Sequence, residues 1–222
     1  MNYNRDRKIR KTTRVRRLFA TSLVLGCALA TVTLAGAQTI TPPITPTDIT
    51  PPAGNTAFLL GRAAGTQGYV CLPKGAGASW TVNAARPEAT LFESFVGQDV
   101  QIITHFLSPN TNPITPDPVP FGNPTWQSSF DTSKVWAKAV KPITAGSDPS
   151  CPNTGSITCL LLQAVGSLKG PTGGKILTKT TFIQRLNTQG GSAPEDGCVD
   201  LTDVGKQTLV PYSADYYFFR AN

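Results

Sequence analysis

The sequence contains a single histidine, His105, and nowhere sets two cysteines at C-x-x-C spacing. Those shortages remove the usual thiolate and imidazole ligand sets, so no metal site is expected. The G-x-G-x-x-G turn that cradles a dinucleotide is absent, and no cofactor of that class is expected. G-x-S-x-G is missing as well, which leaves the chain without a nucleophile elbow. No internal repeat is visible, and helical periodicity is scarce.

Charge of one sign is also lacking once the first residues are set aside. The whole formal excess of +7 comes from Arg5, Arg7, Lys8, Arg10, Lys11, Arg14, Arg16 and Arg17 against Asp6, and the chain from Gln38 onward is neutral. A nucleic-acid partner therefore has no basic surface to meet. The basic run leads into the apolar stretch from Leu18 to Ala37, which closes in Ala35-Gly36-Ala37. That is the layout of a secretory signal peptide cut near Ala37, so residues 1–37 are assigned to a leader and the protein is expected to be secreted or periplasmic. Cleavage leaves no stable transmembrane anchor. Uncut, the stretch approaches the length of a membrane span, and Cys27 in Val24-Leu25-Gly26-Cys27 is an alternative site of lipidation.

Removing the leader leaves Cys71, Cys151, Cys159 and Cys198, an even set in an oxidising compartment, and two disulfides are expected. Of the three possible pairings, the one adopted joins Cys151 to Cys159 around a short loop and Cys71 to Cys198 around a long one. Residues 38–56 carry prolines and threonines, almost no charge and no apolar period. They are expected to form an extended, solvated linker. Residues 57–222 suffice for one domain with its own core.

Inside that domain the signals are β. Gly68-Tyr69-Val70-Cys71, Ser79 to Val82, Val100 to Phe106, Thr178 to Thr188 and Ala214 to Arg220 are short runs of aromatic and β-branched residues between Gly, Pro and Asn clusters. The fold class expected is all-β, an antiparallel sandwich or barrel-like single domain with at most one short helix. Ser156 to Leu168 is the candidate helix, although Leu160-Leu161-Leu162 fits a buried strand equally well. Alternation in Thr181 to Asn187 puts Phe182, Gln184 and Leu186 on one face, read as core, and Ile183, Arg185 and Asn187 on the other, read as polar. Asp215 to Phe219 is aromatic on both faces, as in a strand covered on each side. Ser108 to Pro120 reads as a proline-studded surface loop.

Several segments then line up with one pattern. Ile183-Gln184-Arg185-Leu186-Asn187-Thr188-Gln189-Gly190-Gly191-Ser192-Ala193-Pro194, Gly197-Cys198 and Val210 to Phe218 resemble the signature of a family of secreted bacterial and fungal proteins catalogued as domain of unknown function 3455. Thr66 to Cys71, Trp80, Pro87 to Leu91, Thr104-His105-Phe106 and Gly122 to Trp126 are similar to its earlier pieces, in order. The resemblance implies that Cys71 and Cys198 fall on family cysteines, while Cys151, Cys159 and the proline-rich loop are additions. It supplies a class and a compartment, not a reaction.

The residues left for chemistry are few. His105 with Glu88 or Asp99 is the one arrangement read as a base and its orienter, against the blander reading of a histidine held within a strand. Glu195, Asp196, Asp200 and Asp203 lack the spacing of a calcium loop and read as a solvated acidic turn. Trp126, beside Pro124 and the proline-rich loop, is the tryptophan expected at the surface. With Tyr69, Arg185 and Asn187 it forms the candidate ligand-binding set, aromatic faces beside polar groups. Arg185 also suits a carboxylate or phosphate held in a bidentate fork. The function expected is a non-catalytic binding module for a glycan or small molecule. The alternatives are a hydrolase built on His105 and Glu88, and a structural envelope protein.

Overall fold

Runs of β-branched and aromatic residues, each stopped by a glycine or proline turn, give nine antiparallel strands: β1 (Asn55–Lys74), β2 (Gly77–Val82), β3 (Glu88–Phe95), β4 (Gln98–Ser108), β5 (Asn123–Ser128), β6 (Lys134–Ile143), β7 (Cys159–Leu168), β8 (Thr180–Gly190) and β9 (Gln207–Ala221). The computed structural model describes residues 40–82, 88–110 and 122–222. The leader, Cys27 and most of the proline-rich loop lie outside the described residues.

Neighbours pair in the order β2-β1-β3-β4-β5-β6-β7-β8-β9, and β1 pairs with β9 from Asn55↔Ala221 to Val70↔Gln207. The sheet thus closes into a barrel, with β2 hanging from the end of β1. Closure removes the free edges that an open sheet would expose. Of the two all-β alternatives, the chain adopts the barrel.

Small residues let β1 and β3 approach. A Cβ on Gly61 would lie 2.8 Å from Leu91 Cδ2, and one on Gly65 would lie 2.1 Å from the Glu88 carbonyl oxygen. Inward-facing side chains fill the barrel, as expected at this strand number. Leu91, Ile103, Trp126, Val135, Leu177, Ile183, Tyr216 and Phe218 form one buried cluster drawn from most of the strands. Burying a side chain of this size contributes about 1.5–3 kcal/mol.

A second apolar layer covers the outside of β7, β8 and β9. It holds Leu161, Leu186, Tyr217 and Phe219 together with Cys151, Cys159 and Ile49. β9 is therefore buried on both faces, as its double aromatic pattern requires. The cover corrects the reading of residues 38–56 as solvated linker, for Thr47–Ile49 forms a 3-10 turn and Ile49 is fully buried. The Gln184 amide donates to the Ile49 carbonyl at 2.6 Å and to Thr45 Oγ1 at 3.3 Å. A charge-poor Pro/Thr segment needs only one well-placed isoleucine and one carbonyl anchor to bind a sheet face, and β1 itself begins at Asn55.

The region Ser156 to Leu168 is strand, not helix, from Cys159 onward. Leu161 belongs to the outer layer and Leu162 to the barrel interior, so the leucine run is apolar because both faces of β7 are covered. Cys71 pairs with Cys198 and Cys151 with Cys159. The second bridge ties the loop before β7 to the first residue of that strand, and the same loop meets β8, where the backbone N–H of Asn187 donates to the Ser150 carbonyl.

Candidate functional site

β4, β5, β8 and β9 carry His105, Trp126, Arg185, Tyr212 and Tyr216 toward the barrel interior. His105 faces Trp126 across the β4–β5 ladder and Arg185 faces Tyr216 across β8–β9. Directly paired residues of an antiparallel ladder project to the same side, so each pair shares the inner face. The imidazole stacks on the Trp126 indole at 4.3 Å between centroids, and Tyr216 meets the indole edge-on at 5.8 Å.

His105 Nδ1–H donates to the Thr125 carbonyl at 2.9 Å. In the neutral ring this leaves the lone pair on Nε2. Burial lowers the imidazole pKa to about 4, the Thr125 carbonyl opposes that shift, and the Arg185 charge adds to it. The histidine is thus neutral over the whole ordinary pH range.

Tyr212 and Tyr216 share a hydroxyl hydrogen bond of 3.1 Å. Burial, then Tyr216, pushes the Tyr212 phenol far up, while Arg185 draws it down. Tyr69 sits farther along β1, its hydroxyl donating to the Gly191 carbonyl at 2.6 Å. Burial raises its pKa and Arg185 again opposes. The Arg185 charge therefore acts on three ring side chains, and its pairing with Leu160 at the start of β7 and with Tyr216 on β9 places Arg185 at the mouth of the barrel. Its Nε and Nη2 donate to the Thr158 carbonyl at 3.2 and 2.8 Å. Among the described residues the ion pairs are Lys141–Asp48 and Lys206–Asp203, so Arg185 has no carboxylate partner. The guanidinium is half-buried, and its Nη1 edge is not among the donors bound to Thr158.

The other expected site residues fall elsewhere. Trp126 is 1% exposed, which corrects its placement at the surface. Its neighbours in sequence are a proline and a loop, but its ladder partner is the inward-facing His105. Trp136 is equally buried and donates from Nε1 to Ser108 Oγ at 2.9 Å. Trp80 is half-buried with Nε1 bonded to the Asp196 carbonyl. The described surface thus offers no tryptophan shelf for a sugar ring. Asn187, at φ 50°, sits in the irregularity between Leu186 and Gln189 and donates to Asp215 Oδ2 at 2.8 Å. That geometry makes it a fastener of β8 to β9.

His105 and Glu88 do not form a dyad. Ala89 is the residue opposite His105, so Glu88, one position earlier, projects to the outer face and is exposed. There it borders a shallow groove of about 470 Å³ whose lining also includes Gly65, Ala89, Thr104, Phe106 and His105, the last with its imidazole turned to the interior. The acidic turn places Asp203 as acceptor for the Val199 and Asp200 amides and for Lys206 Nζ, and these contacts draw its pKa down. Among the described residues no cluster of three His, Cys, Asp or Glu side chains could share one metal ion. Sequence reasoning missed the Tyr212–Tyr216 hydroxyl pair, although period-two alternation from 212 to 218 carries the signal.

A closed antiparallel β-barrel, locked by two disulfides and carrying Arg185 at its mouth, is the class of protein these features define. The family model described as protein of unknown function (DUF3455) matches residues 52–220, and the chain belongs to that family. No curated protein and no solved structure matches. Among the described residues no helix is long and apolar enough to cross a membrane.

Proposed function

We propose that this is an exported, non-catalytic binding barrel that takes a small ligand bearing a carboxylate, such as an organic acid or an acidic sugar, at the mouth around Arg185. The observation that carries the reading is the half-buried guanidinium on the inner face of β8, opposite Tyr216, tethered to the Thr158 carbonyl and without a carboxylate partner among the described residues. Tethering to the Thr158 carbonyl fixes its fork, so little rotamer freedom remains to be lost on binding. A charge-assisted pair of this kind is worth about 1.5–3 kcal/mol. Export rests on the leader and fits the two disulfides.

Calorimetry with galacturonate and galactose tests the reading. The acid is expected to bind at least tenfold more tightly, and Arg185→Gln is expected to erase that preference whatever it does to the unliganded melting temperature. Equal binding of acid and neutral sugar by the unaltered protein would remove the proposal.

A second reading is favoured by the outer groove. Threonine hydroxyls beside the Phe106 ring suit a neutral glycan. There, Phe106→Ala should abolish binding and Arg185→Gln should leave it unchanged.

A further inference from the structure

The loops before and after β8 lie at opposite ends of the barrel, since that strand runs through the sheet between them. The end preceding β8 is apolar and basic. Phe130 in the β5–β6 turn is 67% exposed, and Leu168 and Ile176 of the β7–β8 connection are 41% and 43% exposed. Asp131 binds the turn to that connection by accepting from the Ile176 N–H at 2.9 Å and from Ser133 Oγ at 2.7 Å. Lys169, Lys175 and Lys179 are exposed around these side chains and Lys134 is half-buried. None of the four belongs to an ion pair among the described residues. Glu93 and Asp99 flank the neighbouring β3–β4 hairpin and offset part of this charge.

The end that follows β8 is apolar and acidic. Val199 and Leu201 are 60% and 56% exposed, and Leu72 beside the Cys71–Cys198 bridge is 41% exposed. The Val199 carbonyl accepts from the Ala78 N–H at 2.9 Å, and the Cys71 carbonyl accepts from the Gly205 N–H at 3.0 Å, so this loop is pinned over β1 and β2. Glu195, Asp196 and Asp200 are exposed here, Asp203 is occupied by Lys206, and Lys74 and the half-buried Arg185, tethered to Thr158 at this end, offset part of the charge. Bulky apolar groups left in water on pinned loops mark a surface that meets a partner.

We infer that the partner is a second copy of this chain, docked head to tail: the lysine-rimmed apolar end of one barrel meets the acid-rimmed apolar end of the next. The two surfaces differ and are complementary in charge, so the contact is heterologous and propagates rather than closing as a twofold pair.

The test is sedimentation of the disulfide-bonded protein over a range of concentration and salt. Species larger than a dimer are expected, diminishing as salt rises. Lys169→Glu with Lys175→Glu, and separately Glu195→Lys with Asp196→Lys, should each give monomers of unchanged melting temperature. An equimolar mixture of the two variants is expected to assemble again, because the intact lysine end of the acid-reversed variant meets the intact acidic end of the lysine-reversed variant and the two reversed ends also carry opposite charge. A wild-type protein that is monomeric throughout overturns the inference. So does a mixture that remains monomeric, or a lysine-reversed variant that assembles normally while losing binding to vesicles of phosphatidylglycerol.

Discussion

His105 lies against Trp126 with the two rings 9° from parallel, inside a barrel that leaves the imidazole 4% exposed. The stack makes the histidine a buried neutral group, with a pKa near 4 against an ordinary 6.5. In the unfolded chain the same ring takes up its proton first. Stability therefore rises with pH through this window and is lost as pH falls from 6.5 toward about 4, by about 3 kcal/mol from this group. His105→Phe keeps a ring on Trp126 but cannot titrate. Urea unfolding at a series of pH values should show that the slope between pH 6.5 and 4.5 flattens in this variant.

Ile49 is the strongest test of the outer layer. Fully buried against the second apolar cluster, it should cost about 2–5 kcal/mol when cut to alanine. A solvated linker would lose nothing measurable. Chemical denaturation of Ile49→Ala separates the two.

The bridges should differ in weight. Cys71–Cys198 spans 127 positions and Cys151–Cys159 spans 8. On chain entropy alone they contribute about 5 and about 2.5 kcal/mol. Paired cysteine-to-alanine variants, compared by calorimetric melting, should rank in that order.

Val96 holds φ 50° at the tip of the β3–β4 hairpin, followed by Gly97 at φ 76°. This two-residue turn suits Asn-Gly, and a branched side chain there is strained. Val96→Asn should stabilise by about 1 kcal/mol, read as a rise in melting temperature.

Much of the fold was legible in the sequence because aromatic and β-branched runs mark β4, β8 and β9 and turn residues bound them. β1 was recognised only around Tyr69, because its inward positions Gly61, Ala63 and Gly65 are small. Propensity scores them against strand, while Leu91 and the Glu88 carbonyl demand them small. The leucine run of β7 was ambiguous because only the outer layer reveals that both faces are covered. For the site, Arg185 and Tyr69 were legible as types but not as parts of one ring, since closure pairs β1 with β9, the strand beside β8. Trp126 was misplaced because its local context is a loop, whereas its environment is set by register with His105.

Thr56 hydrogen-bonds Asn222 across 166 positions of chain. A ribosome must therefore have made nearly all of β9 before the ring can shut, and every strand synthesised earlier waits with an unmatched edge. Nascent chains of this barrel are obliged to remain open through translation, the condition in which a polypeptide can still be threaded through a narrow channel.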